Sequence, residues 1–299
     1  MEASFLTQFM LPAALALIMF GMGLTLTVGD FIRLWKMPRP VFVGLCGQLL
    51  LLPLIAYGIA IVFDLSESLA IGLMILAACP GGTMSNVISH LARANLALSV
   101  TLTAITTFVC VFSTPFIIQL AISQFGQQPD QSFSLLNTTL GLIVISLLPV
   151  VLGIVIRHYF PAAAQRREAT FRRFSAVFML FMIVAILIQE RHSLASSLSQ
   201  MFTATITLNF AAIAVGVLLA RLFCLSLRDT VTLGIEVGIQ NASMAILIAV
   251  SFLQAPAYAT SAGVYGLTMY IGTVLLVWFA NLVRGRAQPA GRGASSGIE

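Results

Sequence analysis

Apolar residues in this chain fall in long unbroken blocks, with no alternation and little one-sided periodicity. Proline, glycine and charge clusters divide them into nine segments, at 8–28, 40–63, 67–92, 95–123, 134–158, 174–189, 201–225, 229–252 and 257–283. Most are long enough to cross a hydrocarbon core of roughly 30 Å as a helix. Two are interrupted at mid-depth. The third reads IGLMILAACPGGTMSNVISHL, with Pro80-Gly81-Gly82 at its centre. The eighth reads TLGIEVGIQNASMAILIAV, with Gly238 beside Gln240 and Asn241. Proline removes a backbone donor and glycine favours an unwound turn. Unwound backbone at that depth survives only where it is buried in protein or lines a cavity.

Composition turns this pattern into a class. Of the 299 residues 59% are hydrophobic and 8% charged, whereas soluble domains carry about 25% charged residues. A soluble enzyme and a nucleic-acid binder are both excluded, since a net charge of +5 scattered among loops makes no phosphate-binding footprint. Cys46, Cys79, Cys110 and Cys224 lie in apolar stretches without metal or redox spacing and read as small buried residues. Met1, Glu2 and Ala3 offer no basic region ahead of the first apolar block, so no cleaved signal is expected.

Charge placement orients the chain. Fourteen of the fifteen basic residues fall after odd-numbered segments: Arg33, Lys36 and Arg39; Arg93; Arg157, Arg166, Arg167, Arg172 and Arg173; Arg221 and Arg228; Arg284, Arg286 and Arg292. Arg191 alone lies on the other side. That bias predicts an outside N-terminus and a cytoplasmic C-terminus. The expectation is an all-α polytopic membrane protein of nine transmembrane helices. Ser85-Asn86 matches Gln240-Asn241 at a distance of 155 residues, and each broken span follows one with a single amide, Gln48 or Asn209. Spans one to four then map onto spans six to nine as an inverted repeat, a pattern that points to a secondary-transporter site. The parts are 1–123, the first repeat, broken near Pro80–Gly82; 124–173, the fifth span and a basic loop; 174–283, the second repeat, broken near Gly238; and 284–299, a disordered cytoplasmic tail.

Of ten acidic residues, only Glu236 lies deep inside a span. A carboxylate there costs a few kcal/mol or more and implies cation binding or proton carriage unless neighbouring amides hold it structurally. Ser99 and Thr103, in LALSVTLT, are i, i+4 on one helical face. Either hydroxyl alone would be expected to bond its own helix backbone. Together with Ser85, Asn86 and Gln48 they supply neutral oxygens around one negative charge, which suits a hard monovalent cation.

The stretches CPGGTMSN, LALSVTLT and EVGIQN, with LIMFGMGLTL near the start, closely resemble the bile acid:sodium symporter family over nearly the whole chain. The resemblance implies an inverted-repeat carrier with two broken crossing helices and core and panel domains, here in a nine-span form lacking the first helix. It implies one sodium ion at Ser85, Asn86, Ser99, Thr103 and Glu236. A second would lie at Gln48, Glu236 and Gln240 with the carbonyls of Val237 and Ile239. Substrate would sit near Thr83 and Asn241. The implied activity is sodium-coupled symport of an organic anion, bile-acid-like or a small acid such as pantoate or pyruvate, in a bacterial inner membrane, with no obligate protein partner. The last span carries Met269 and Tyr270 where relatives place a polar His-Asn pair, so the substrate stays open.

Four alternatives stand beside this reading. A proton-coupled carrier of the same architecture would use Glu236 as a shuttle but leaves the hydroxyl and amide set unexplained. An arsenite-type extruder would use Cys79, which has no positive neighbour to activate it. An intramembrane hydrolase needs a nucleophile with a base in reach; His90, His158 and His192 sit at span ends or in loops, and Ser85 has no partner. A passive channel would not need inverted broken helices around a binding site.

Overall fold

Inside hydrocarbon a backbone N–H finds no outside partner, so apolar blocks are forced into helices. The computed structural model describes residues 9–126, 134–189 and 191–286, and its regular elements there are helices. In chain order they are α1 (Leu11–Gly23), α2 (Val28–Lys36), α3 (Pro38–Val62), α4 (Glu67–Ala78), α5 (Met84–Leu91), α6 (Leu96–Phe125), α7 (Leu135–Tyr159), α8 (Pro161–Gln189), α9 (Arg191–Leu222), α10 (Leu227–Gly238), α11 (Ala242–Phe252) and α12 (Ala259–Arg286). Among the described residues five helices are long and apolar enough to cross a membrane, and α1 with α2, bent by 60°, would make a sixth. The chain is therefore an all-helical, polytopic membrane protein. α4 and α11 are shorter apolar helices that belong to the two interrupted segments.

Three sequence expectations change. The first span, read as 8–28, ends as a helix at Gly23. The Thr25 hydroxyl donates to the Met22 carbonyl (2.7 Å), and Thr27 opens a capping box with Asp30, whose carboxylate accepts from the Thr27 N–H (2.6 Å). That box starts α2, so Arg33 and Lys36 lie on a helix and not in a loop. The basic cluster Arg166, Arg167, Arg172 and Arg173 also lies on a helix. α8 begins at Pro161, directly after α7, with proline at the first helical position and helix-forming alanines behind it. Hydropathy marks only where a helix is apolar, so it missed both. Finally α12 runs on through Arg284 to Arg286. The rest of the expected tail, 287–299, lies outside the described residues.

Two π turns mark the long helices, at Gly47–Leu51 in α3 and Ile143–Leu147 in α7. Each precedes a proline, Pro53 or Pro149. A proline inside a helix clashes with the carbonyl four residues back and offers it no hydrogen. Widening the preceding turn to i→i+5 bonding relieves that conflict. In α3 it also sets Gln48 on the widened turn, buried at 1% exposure.

α4 and α10 are buried along most of their length; α4 is apolar beyond Ser68, whereas α10 carries Thr230, Thr232 and Glu236 into the interior. They start at Glu67 and Leu227, and each follows a left-handed residue, Asp64 or Cys224; both pairs are 160 residues apart. The 155-residue match of Ser85-Asn86 to Gln240-Asn241 is therefore out of step with the helices. Gln240 lies in the unwound break, whereas Ser85 and Asn86 lie in the first turn of α5.

Candidate functional site

Between α4 and α5 the backbone is unwound around Pro80–Gly82, and between α10 and α11 around Ile239–Asn241. The two unwound stretches pass antiparallel. Gly81 forms an isolated bridge with Gln240; the Gly82 N–H donates to the Ile239 carbonyl (2.9 Å) and the Asn241 N–H to the Pro80 carbonyl (3.0 Å). An ideal Cβ on Gly81 would stand 2.8 Å from Glu236 Oε1, and one on Gly82 2.9 Å from the Gln240 carbonyl oxygen. Glycine is needed here for close approach, not for backbone freedom.

Helix ends this deep need partners, because each unsatisfied group costs several kcal/mol. The Thr114 hydroxyl donates to the Ala78 carbonyl that ends α4 (2.6 Å). At the other break Asn209 Nδ2 (3.0 Å) and the Tyr265 hydroxyl (2.9 Å) both donate to the Gly238 carbonyl. Asn209 also donates to the Met269 carbonyl (3.2 Å) and accepts from the Gly272 N–H (3.2 Å), tying α9 to α12. The sequence marked Asn209 only as a mid-membrane amide. Tyr265 gave no signal, since one tyrosine in an apolar helix reads as packing.

Glu236 sits in the last turn of α10 at 1% exposure. The Ser99 hydroxyl lies 2.7 Å from Oε2 and 2.8 Å from Asn86 Oδ1. The Thr103 hydroxyl contacts Oε1 and lies 3.1 Å from the Ser99 carbonyl, 3.4 Å from Asn86 Oδ1 and 3.5 Å from Ser85 Oγ. Each hydroxyl owns one proton. Three hydroxyl protons, those of Ser85, Ser99 and Thr103, thus face both carboxylate oxygens, the Asn86 amide oxygen and a carbonyl, so the oxygens still outnumber the hydroxyl protons. The cluster is rich in oxygen and poor in hydrogen, which is the electrostatic setting of a cation site. No group of three or more His, Cys, Asp or Glu side chains able to hold a metal occurs among the described residues, and a single carboxylate among neutral oxygens fits a monovalent hard ion.

Beside it stands a second polar group. Gln48 satisfies its surroundings when its amide oxygen accepts from the Gly81 N–H (3.0 Å) and Gln240 Nε2 (3.1 Å) and its nitrogen donates to the Glu236 carbonyl (3.2 Å). Gln240 Nε2 also donates to the Val237 carbonyl (2.8 Å). The Ile239 carbonyl is engaged by Gly82 but keeps a second lone pair. The structure thus brings Gln48, Glu236 and Gln240 together, with both carbonyls adjacent in the chain.

Thr83 and Asn241 line a cleft of about 80 Å³ at the crossing, and Gln240 and Ile239 of the second polar group share its wall. Ser175 of α8, Ser243 of α11 and Met269 and Tyr270 of α12 also line it. Asn241 caps α11 through a bond from the Met244 N–H (3.1 Å). Ser175 and Ser243 were not singled out by sequence, because single serines in helices carry no pattern.

Crossed broken helices around a buried oxygen cluster and a polar cleft define a membrane transporter and not an enzyme. Comparison with known proteins agrees. The Sodium Bile acid symporter family model matches residues 12–197. The chain is 29% identical to an uncharacterized sodium-dependent transporter of Bacillus subtilis, over 90% of this chain and 83% of that protein. It is 30% identical to a chloroplastic protein of Oryza sativa subsp. japonica named a probable sodium/metabolite cotransporter, over 89% of this chain and 63% of the relative. With the sodium-dependent organic anion transporter of Homo sapiens it shares 28% identity, over 78% of this chain and 61% of the relative. The chain spans less than two thirds of the latter two relatives' length. It belongs to the sodium bile acid symporter family and is a sodium-coupled transporter.

Proposed function

We propose that the chain carries a small organic anion inward with two sodium ions by alternating access. The observation that carries this reading is the hydrogen-poor oxygen cluster at Glu236. In this reading Ser85, Asn86, Ser99, Thr103 and Glu236 hold one ion. Gln48, Glu236 and Gln240 hold the second with the carbonyls of Val237 and Ile239, so the one carboxylate offsets both charges. α4–α5 and α10–α11 act as the broken spans of two inverted repeats within a nine-span chain. The basic side faces the cytoplasm of a bacterial inner membrane.

Substrate enters beside Thr83 and Asn241, between the N-termini of α5 and α11, whose helix dipoles favour negative charge. The cleft lining holds hydroxyls and amides and no Lys, Arg or His among the described residues. Its volume of about 80 Å³ suits a small acid such as pantoate or pyruvate better than a bile acid. Two sodium ions with a monovalent anion move one net positive charge, so an inside-negative potential adds about 2.3 kcal/mol per 100 mV to accumulation.

The test is reconstitution into liposomes after a thermal-shift screen of organic anions with and without sodium. Uptake should follow an imposed sodium gradient and persist when the pH gradient alone is collapsed. Uptake that follows pH and ignores sodium would make this a proton carrier and remove the ion assignment.

A further inference from the structure

A groove of about 640 Å³ opens on the outer surface between α2, α6 and α7. Its walls are Phe31, Leu34 and Trp35 of α2, Ile105, Phe108 and Val109 of α6, and Val151, Ile154 and Val155 of α7. Every lining side chain is apolar or aromatic. None belongs to the oxygen cluster or the cleft, and the transport reading leaves the groove unused.

α2 is strongly two-sided. Phe31, Leu34 and Trp35 are i, i+3, i+4 on the groove face, with Phe31 edge-on to Phe108 (ring centroids 5.2 Å apart). Arg33 lies on the opposite face, Asp30 flanks Leu34 one turn earlier, and Lys36 follows Trp35 at the end of the helix, where its long side chain can reach round to the surface. Asp30 is buried at 4% exposure and pairs with Arg33, so that charge is neutralised internally. Lys36, at the end of α2, and Arg39, in the first turn of α3, are exposed and form no ion pair among the described residues. Trp35 is 82% exposed, the placement of an aromatic anchor at a membrane interface. A helix of this kind lies in the interface plane.

The groove's depth agrees. At 1.5 Å per residue, Ile105 lies about 14 Å along α6 from its start at Leu96, and Val151 about 12 Å along α7 from its end at Tyr159. Both starting points are on the basic side, beside Arg93 and Arg157. The lining runs from about 6 Å (Val155) to about 20 Å (Val109) along these helices, so the cavity lies mainly in the half of the hydrocarbon layer nearest the basic surface and opens laterally to acyl chains, with Lys36 next to Trp35 in the chain and Arg39 in the first turn of α3.

We infer that this groove is a binding site for an anionic phospholipid of the leaflet on the basic side. One acyl chain lies between α2, α6 and α7, and the phosphate sits against Lys36 and Arg39. A zwitterionic lipid could fill the same walls, but the two free cations favour a headgroup of net negative charge. A basic residue near the surface contributes a factor of about five in affinity for anionic lipid, so two give about 25-fold.

The chain has two tryptophans, which makes the test direct. Trp278→Phe leaves Trp35 as the only reporter at the mouth of the groove. In phosphatidylcholine vesicles, brominated phosphatidylglycerol should quench Trp35 half-maximally at a mole fraction about 25-fold below that needed for brominated phosphatidylcholine. Lys36→Gln/Arg39→Gln should bring the two lipids to near parity. Val155→Phe, which narrows the groove, should reduce the depth of quenching by either lipid while the preference for phosphatidylglycerol remains. Equal quenching by both lipids in the Trp278→Phe protein would show annular contact only and overturn the site. So would a preference unchanged by the charge substitutions, or a quenching depth unchanged by Val155→Phe.

Discussion

Replacing Thr103 by valine keeps the branched shape and removes one oxygen from the Glu236 cluster. That hydroxyl donates to Glu236 Oε1. For it to face a cation with a lone pair its proton must turn away, and the Ser99 carbonyl at 3.1 Å is in place to accept it. The variant therefore deprives Glu236 of a partner without sodium and the ion of a ligand with it. A hydrogen bond to a charged group contributes about 1.5–3 kcal/mol, and the ion contact that replaces it must be at least as strong for sodium to bind. The sodium concentration for half-maximal uptake or half-maximal thermal stabilisation should rise roughly 10- to 150-fold, taking 1.4 kcal/mol per decade and that same 1.5–3 kcal/mol range. Folded yield should stay near wild type, because the pocket keeps its volume. The assay is a sodium titration of the purified protein, followed by uptake in liposomes. Unchanged sodium dependence in Ser99→Ala/Thr103→Val would mean that both hydroxyls serve only the structure of α6, and the ion assignment would fail with them.

Other substitutions probe the frame around the cluster. Gly81→Ala would press a methyl onto Glu236 Oε1; overpacking of this kind costs about 1–3 kcal/mol, and sodium-induced stabilisation should fall while the protein still inserts. Tyr265→Phe and Asn209→Leu each remove one of the two donors to the Gly238 carbonyl. Tyr265→Phe should lower thermal stability by about 1–3 kcal/mol and Asn209→Leu by more, since it also leaves the Gly272 N–H without its acceptor; the double variant should cost more than the sum because the Gly238 carbonyl is then bare, and strict additivity would show the two acting independently. A reporter after Arg286 should be active in the cytoplasm and one inserted near residue 128 should report the outside; both on one side would end the nine-span reading.

The parts of the site visible in the sequence are those that apolar surroundings make expensive. A carboxylate at Glu236, amides at Gln48 and Gln240, and proline and glycine at 80–82 all conflict with a plain membrane helix, so each announces a role. What stayed hidden is what only the crossing creates. Nothing local in Gly81 says that it will pair with Gln240, or in Tyr265 that its hydroxyl will hold the Gly238 carbonyl. Asp30 looked like a charge at the edge of a span, yet the capping box with Thr27 buries it and bends the chain. The 155-residue match aligned polar residue types, whereas the starts of α4 and α10 follow the left-handed residues Asp64 and Cys224, with a Ser226 cap at α10. The basic stretch of α8 escaped a search for apolar blocks because a helix can continue beyond the hydrocarbon as a charged one.

The central claim is that sodium binds at Glu236, and direct binding of radioactive sodium to purified protein tests it most plainly. Glu236→Gln preserves shape and one ligand oxygen but removes the carboxylate that both proposed ions share, leaving two cations to repel across a buried site. The wild type should bind sodium saturably, with a stoichiometry approaching two per chain, and Glu236→Gln should bind none at the same concentrations. Saturable binding of wild-type strength in Glu236→Gln would contradict the account.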